Sequence, residues 1–389
     1  MILTALTLLA LAKPVTAAPP APSVEVRVRM KRALNEVTIS GFSLRVTPPS
    51  GFLSVAGAGM GFTKTRIRLA KSGGWLVDVG GRRQVYHSNR LWVRGQMLRL
   101  GIEPVPYDLE IFPSVKKGID VVARLDLDKY LAGVLPAEMP ASWHVEALKA
   151  QAVAARSFVL ATAFERRHQH YDVDSTIVDQ VYKFAVELNA AQEEKVRKAV
   201  RDTRGEILTD QNGRPLKAFY SADCGCQSED PQFVWGKVES YESVKDPTCQ
   251  GRKVPRWNVK LSRHEVRRLL LAELALPDAT DFRTLQVRGR TPSGRVKDVV
   301  ASLVVDGESR HVAFNSQNFR RIFGFERVRS TNFELKWLGT ELQVRGEGLG
   351  HGVGLCQTGA RAFASQGMEY REILKFYYPR ARLKTPKSA

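Results

Sequence analysis

Asp128-Lys129-Tyr130-Leu131-Ala132-Gly133-Val134-Leu135-Pro136-Ala137-Glu138-Met139-Pro140 stands between a strand-like run and a long helical one. Upstream, residues 118–127 read as a strand that leads directly into it. Downstream, residues 143–168 carry the clearest helical pattern in the chain. Ser142 is positioned to cap that helix, and Glu146 puts negative charge in its first turn, where the dipole favours it. Ala recurs at 147, 150, 152, 154, 155, 161 and 163, while Leu148, Ala152, Ala155 and Val159 repeat at helical spacing. Small side chains on several faces let neighbours approach closely, so this helix is expected to be central and buried. Pro136 and Pro140 bracket Glu138 and are expected to stiffen the segment into a turn. Met139 and Trp143 offer apolar walls there, and an apolar wall raises a carboxyl's pKa by disfavouring its charged form. A carboxyl kept protonated near neutral pH can give its proton to a leaving oxygen. Glu138 is therefore the sharpest catalytic candidate; the plainer reading is a carboxylate that only caps backbone N–H groups.

Towards the N-terminus, Val24-Glu25-Val26-Arg27-Val28-Arg29 alternates as a half-buried strand does. Similar signals recur at 36–39, 65–69, 75–79, 91–100 and 107–111, with Gly-rich turns between them. Residues 24–112 thus read as a β-rich N-terminal unit. Residues 113–383 read as a core domain of mixed strands and helices, and 384–389 as a tail. In that core, helices are expected at 190–203, 263–275, 358–366 and 370–378. A strand is expected at 256–259, and 285–287 pairs with 296–305 as a hairpin. The interleaving of strands and helices makes the fold class α+β.

The first residues read as an export signal: an apolar run over 2–12, then Val15-Thr16-Ala17 as a small-x-small cleavage pattern. Residues 1–17 are therefore expected to be a signal peptide and 18–23 a Pro-rich linker, sending the protein to the cell envelope. No apolar run approaches the roughly 20 residues of a membrane-spanning helix. Across 389 residues the apolar fraction is 43% and the charged fraction 25%, which excludes whole-chain disorder and a disulfide-dense miniprotein. The formal charge of +19 favours a polyanionic partner. Zinc-finger spacing, aromatic nucleic-acid signatures and basic-zipper heptads are missing, so with an export signal an anionic wall polymer is favoured as partner over DNA, and no nucleic acid is expected.

Gly346-Glu347-Gly348-Leu349-Gly350-His351-Gly352-Val353-Gly354 is dense in glycine, which lets the backbone take positive φ and approach a ligand or another segment. It lacks the Lys-Ser or Lys-Thr of a phosphate loop. His351 within it is a candidate to orient a carboxylate or bind substrate. The four cysteines are Cys224, Cys226, Cys249 and Cys356. Cys224 and Cys226 are too close in sequence to bond to each other without strain. Three states stay open: disulfides to the two distant partners, a structural tetrahedral zinc with His351 as a substitute ligand, or buried free thiols.

Taken together, several segments resemble the SpoIID/LytB family. They are Tyr130 to Pro140 as quoted, Glu146-Ala147-Leu148-Lys149-Ala150-Gln151-Ala152-Val153-Ala154-Ala155-Arg156, and Asp179-Gln180-Val181-Tyr182. Phe219-Tyr220-Ser221-Ala222-Asp223-Cys224-Gly225 follows, then Gly350-His351-Gly352-Val353-Gly354-Leu355-Cys356-Gln357-Thr358-Gly359-Ala360 and Tyr377-Tyr378-Pro379. The resemblance covers about residues 90–383 in the expected order. It implies action on peptidoglycan glycan strands by a lytic transglycosylase, with Glu138 acting first as acid and then as base, and no required cofactor. Gln180, Tyr182, Ser221, His351 and Gln357 fall in the matching motifs and are candidates to line a sugar groove; the plainer reading is that these polar groups only satisfy one another. Other members are amidase enhancers, which gives the alternative of a non-catalytic wall-binding partner of an N-acetylmuramoyl-L-alanine amidase. Asp223 and Glu347 lie in neighbouring motifs and keep a two-carboxylate hydrolase open. Arg156, on the buried helix, is expected to pair with a carboxylate in the core. Two departures stand out: Cys226 follows Gly225 where a second Gly is usual, and Thr358 follows Gln357 where an aromatic is common.

Overall fold

The alternation that begins near Val24 becomes the strand Glu25–Leu34, whose Val26, Val28 and Met30 turn inward. The computed structural model describes residues 24–49, 55–56, 61–251 and 253–385; the segments 1–17 and 18–23, and 386–389 of the tail, lie outside the described residues. Glu25–Leu34 belongs to an eleven-stranded sheet. From one edge the order is Val173–Asp174, Glu25–Leu34, Ile119–Asp126, Leu109–Pro113, Leu91–Leu100, Glu36–Thr47, Phe62–Leu69, Trp75–Val79 and Arg82–Tyr86. Val55–Ala56 adds beside Glu36–Thr47, and Glu103–Val105 beside Leu91–Leu100. Pairing is antiparallel except at Val173–Asp174, which runs parallel to Glu25–Leu34. Arg82–Tyr86 escapes the sequence reading because it is an edge strand, exposed at all but its last residue. Ile119–Asp126 sits inside the sheet and is buried along nearly its whole length.

That strand feeds α1 (Leu127–Glu138), started by Asp126, whose carboxylate accepts from the N–H groups of Asp128 and Lys129 at 2.9 and 3.2 Å. The turn expected around Glu138 is thus corrected: the helix passes through Pro136 and ends on Glu138. A proline inside a helix costs about 3 kcal/mol. Burial of Tyr130, Leu131, Val134 and Leu135, each contributing on the order of 1.5–3 kcal/mol, outweighs it. After a short turn closed by Trp143 N–H on the Pro140 carbonyl, α2 covers Val145–Glu165. His144 rather than Ser142 caps it, with Nδ1 accepting from Glu146 N–H at 3.3 Å, because that turn keeps Ser142 ahead of the helix. α2 buries alanines on most of its faces and packs against its neighbours and the sheet. α3 (Ala190–Asp202) is opened by an Asn189–Gln192 capping box.

Arg156, buried on α2, lies 3.7 Å from Asp128 and donates to Thr203 Oγ1 and the Glu206 carbonyl, tying α1, α2 and the end of α3 together. Burial pulls its pKa down to about 10, so it keeps its charge at neutral pH.

Beyond the strand Tyr220–Ser221 an irregular stretch still contributes Cys224, Val234 and Tyr241 to the main core, and the chain leaves this body near Arg256. It builds two three-stranded sheets, one of Arg256–Ser262, Glu341–Glu347 and Phe333–Leu338, the other of Asp281–Arg290, Val296–Val305 and Glu308–Asn315. They carry α4 (Arg263–Leu274) and α5 (Ser316–Phe323). This insert has an apolar core of its own, running from Trp257 to Val344, apart from the core shared by the large sheet, α1 and α2. The stretch read as one core domain therefore contains two apolar cores. The chain returns as Leu355–Cys356, parallel to Tyr220–Ser221, and continues into α6 (Gln357–Ser365) and α7 (Tyr370–Tyr377). Arg382–Lys384 then pairs with Ile207–Thr209. Among the described residues no helix is long and apolar enough to cross a membrane.

Candidate active site around Glu138

The end of α1 presents Glu138 to the segment that follows Asp179. Val181 N–H donates to Glu138 Oε1 at 2.7 Å. The half-buried carboxyl has its pKa raised above 4.5, because burial disfavours its charge. The Val181 N–H and the side chains of Tyr220 and Gln357 act the other way, and burial prevails. Tyr220 comes from the strand that pairs with Leu355–Cys356, and Gln357 is the first residue of α6. The return of the chain after the insert is thus what completes the site. The Tyr220 hydroxyl is buried without a well-aligned hydrogen bond. Burial and the Glu138 charge hold its pKa far above the usual phenol value, so it stays a donor.

A second ring of polar groups holds these in place. Tyr130 Oη donates to Gln180 Oε1 at 2.9 Å, and Gln180 Nε2 donates to the Ala155 carbonyl at 3.3 Å. Tyr182 stacks on Tyr130 with ring centroids 5.3 Å apart. Gln357 Nε2 donates to Gln151 Oε1 on α2 at 3.4 Å. Gln180, Tyr182 and Gln357 therefore gather near Glu138, but all three are buried. Ser221 is buried too, and its Oγ has no hydrogen-bond partner.

His351 occupies a different position. Its Nδ1 accepts from Val353 N–H at 3.0 Å, and its ring meets Trp235 and Phe219 edge-on at 4.8 and 6.2 Å. The Tyr220 backbone carbonyl faces the ring, so Tyr220 links the histidine to Glu138. Burial, helped by the charges of Arg320 and Arg295, pushes the His351 pKa down to about 3 from 6.5. Holding this ring neutral contributes stability that is complete above about 6.5 and is lost as pH falls towards about 3. Acid titration of thermal stability is expected to fall less steeply in His351→Gln than in the wild type over that window; parallel curves would refute the assignment.

A groove of ≈ 580 Å³ borders the His351 loop, with Phe219, Trp235 and Asp179 on one side and Asn318 and Arg321 of the insert on the other. A second hollow of ≈ 500 Å³ is lined by Val181 and Tyr182, and Ile177 belongs to both. Glu138 lines neither directly, but Val181, which holds it, and Phe219, next to Tyr220, do. Trp235 is 46% exposed and stacks on Phe219 at 4.3 Å. Another hollow of ≈ 610 Å³ lies wholly in the insert, beside Trp257 and Arg290, away from these groups.

The two other carboxylates of the motifs are engaged elsewhere. Asp223 accepts from Thr358 Oγ1 at 2.7 Å and from Gly225 N–H at 2.8 Å; Glu347 pairs with Arg256 at 2.9 Å on the insert. The four cysteines form no disulfide. Cys224 and Cys356 come together with Asp246, their donor atoms all within 4.8 Å, whereas Cys226, Cys249 and His351 are not in this group. Tyr220, Trp235 and Asp246 were not singled out by the sequence. Tyr220 adjoins Ser221 in a motif and was legible there; the other two lie on irregular segments with no periodic signal.

Residues 115–209 match the Stage II sporulation protein family (SpoIID), and residues 198–354 match a Domain of unknown function (DUF8618). Over 260 residues the chain is 34% identical to an uncharacterized protein of Brachyspira hyodysenteriae, covering 66% of each chain. Over 293 residues it is 32% identical to stage II sporulation protein D of Bacillus amyloliquefaciens, covering 72% of this chain and 80% of that one. It is 28% identical to an amidase enhancer of Bacillus subtilis over 64% of this chain, which is 39% of that protein. With its motifs and this similarity, the chain belongs to the SpoIID/LytB family, that of stage II sporulation protein D.

Proposed function

We propose that the protein is an exported peptidoglycan lytic transglycosylase whose single catalytic carboxyl is Glu138. The observation that carries this reading is a half-buried carboxyl at the end of α1, held by Val181 N–H at 2.7 Å beside Tyr220 and Gln357, with its pKa raised by burial. The protonated form gives its proton to the glycosidic oxygen, and the C1–O bond breaks. The resulting carboxylate is then held by Val181 N–H, Tyr220 and Gln357. It takes the proton of the muramic acid 6-hydroxyl as that oxygen attacks C1. A 1,6-anhydro end forms, the carboxyl is protonated again, and no water is consumed. Asp223 and Glu347, each tied to other groups, leave the one-carboxyl route better supported than two-carboxylate hydrolysis.

The groove beside Trp235 suits a glycan strand, since an exposed aromatic face packs against sugar C–H groups. Trp235→Ala is expected to raise KM for glycan strands about 3–10-fold at little change in kcat, a packing loss of roughly 0.5–1.5 kcal/mol. Steady-state digestion of purified strands measures it, and an unchanged KM removes Trp235 from the groove.

Similarity to a protein named an amidase enhancer supports a second reading, a non-catalytic partner of a wall amidase. The discriminating experiment incubates wild type and Glu138→Gln with purified glycan strands, intact or stripped of stem peptides. Anhydro-ended products from the wild type alone are expected. No products from either substrate, with a Glu138→Gln variant that still stimulates a wall amidase, would favour the enhancer.

A further inference from the structure

Three donor side chains from three distant segments converge in the core behind α6. Cys224 follows the strand Tyr220–Ser221, Asp246 precedes the turn Pro247–Gly251, and Cys356 caps α6. All three are buried, at 1%, 4% and 0% exposure. Cys224 Sγ stands 3.5 Å from Asp246 Oδ2. Sulfur and oxygen ligands of one tetrahedral zinc, at about 2.3 and 2.1 Å from the ion, lie about 3.6 Å apart. We propose that Cys224, Asp246 and Cys356 are three protein ligands of a structural zinc site enclosed in the core.

The surroundings are those that orient metal ligands. Tyr377 Oη donates to Asp246 Oδ2 at 2.8 Å, while Oδ1 accepts from Thr248 N–H at 2.9 Å and Thr248 Oγ1 at 2.6 Å. The N–H groups of Cys224 and Gly359 point at Cys356 Sγ from 3.2 and 3.4 Å. Two thiolates and a carboxylate around a divalent ion leave one net negative charge. The buried guanidinium of Arg295, which donates to the Cys224 carbonyl, balances it. A Cβ on Gly359 would lie 1.9 Å from Tyr377 Oη and 2.3 Å from Asp246 Oδ2, so the glycine keeps room for both. Two sulfur donors select zinc over magnesium or calcium.

The ligand set differs from one made of the four cysteines, since Cys226 and Cys249 take no part in it. It fastens the Cys224 loop and the Asp246 turn to the start of α6, whose next residue, Gln357, faces Glu138.

The test uses the full mature chain, reduced, loaded with zinc and desalted. About one zinc per chain is expected by elemental mass spectrometry, with a lowered Tm after chelation. Cobalt in place of zinc should give thiolate-to-cobalt charge transfer and the visible bands of tetrahedral cobalt. Cys356→Ser and Asp246→Asn should lose the metal, whereas Cys226→Ser and Cys249→Ser keep it. The cobalt spectrum of the wild type needs no variant, so a poorly folding variant leaves the question answerable. Absence of bound metal, a Cys224–Cys356 disulfide in protein from an oxidising compartment, or metal loss in Cys226→Ser would each overturn the proposal. None of these readouts depends on glycan cleavage.

Discussion

Glu138→Gln is expected to abolish glycan cleavage while leaving the protein at least as stable as the wild type at neutral pH. Removing the proton donor should slow the reaction about 10²–10⁴-fold, the usual contribution of a positioned acid–base group. The stability sign follows from the raised pKa. Between the unfolded value near 4.5 and the higher folded value, the native state binds more protons than the unfolded chain. Stability therefore declines as pH rises through that window, and the whole penalty is present above it. Gln carries no charge to desolvate, and its Oε1 can still accept from Val181 N–H. The Tm difference between variant and wild type should thus vanish below about 4.5 and grow with pH above it. In the wild type, kcat/KM should fall as pH passes the raised pKa, since the protonated form is the one that starts the reaction. An inactive variant that is also less stable at every pH would point instead to a purely structural carboxylate.

How much of this was legible can be judged at particular residues. The hairpin of Asp281–Arg290 with Val296–Val305 follows from alternation, since one face is buried, whereas the strand before α1 and the alanine-rich α2 are buried on most sides and follow from their runs of apolar or small residues. The turn around Glu138 was misread because a proline normally ends a helix, and only the tertiary burial of Leu131, Val134 and Leu135 carries α1 past Pro136. Glu138 itself was legible as a carboxyl in apolar company. Of its partners, Gln357 is already a candidate by resemblance and Tyr220 stands in a quoted motif, whereas Val181 acts through its backbone N–H, which no side-chain pattern reveals. The insert's separate core was hidden too: its strands and helices have the periods of the host, and only which side chains touch divides them. Asp246 had no sequence signal at all, since an acid on an irregular loop gains meaning only when two cysteines meet it.

The tight fit behind Glu138 makes Gly133 the next most consequential position. In an exposed helix, replacing glycine by alanine gains about 0.5–1 kcal/mol. Here a Cβ would lie 2.4 Å from Tyr182 Cε2 and 2.8 Å from the Lys183 backbone carbonyl. The tyrosine ring is already stacked on Tyr130, and a carbonyl cannot rotate away as a side-chain end can. Overpacking of this kind costs typically 1–3 kcal/mol, so it wins over helix propensity and Gly133→Ala should be destabilised by about 1–2 kcal/mol. The strain falls on residues 182 and 183, next to the N–H that holds Glu138 Oε1 at 2.7 Å. That bond lowers the carboxyl's pKa, so weakening it should raise the pKa further and shift the fall in kcat/KM to higher pH. The loss of kcat should persist after the reaction is brought to the variant's own optimum, because the base in the second step has lost a partner. Urea midpoints together with the pH–rate profile measure both effects. Tyr182→Leu added to Gly133→Ala removes the ring from the clash and should recover part of the stability but not the activity, because the ring's stacking on Tyr130 also fixes the segment that carries Val181. A Gly133→Ala protein as stable as the wild type, with an unshifted profile, would show that α1 and this segment are not packed as tightly as the acid's position requires.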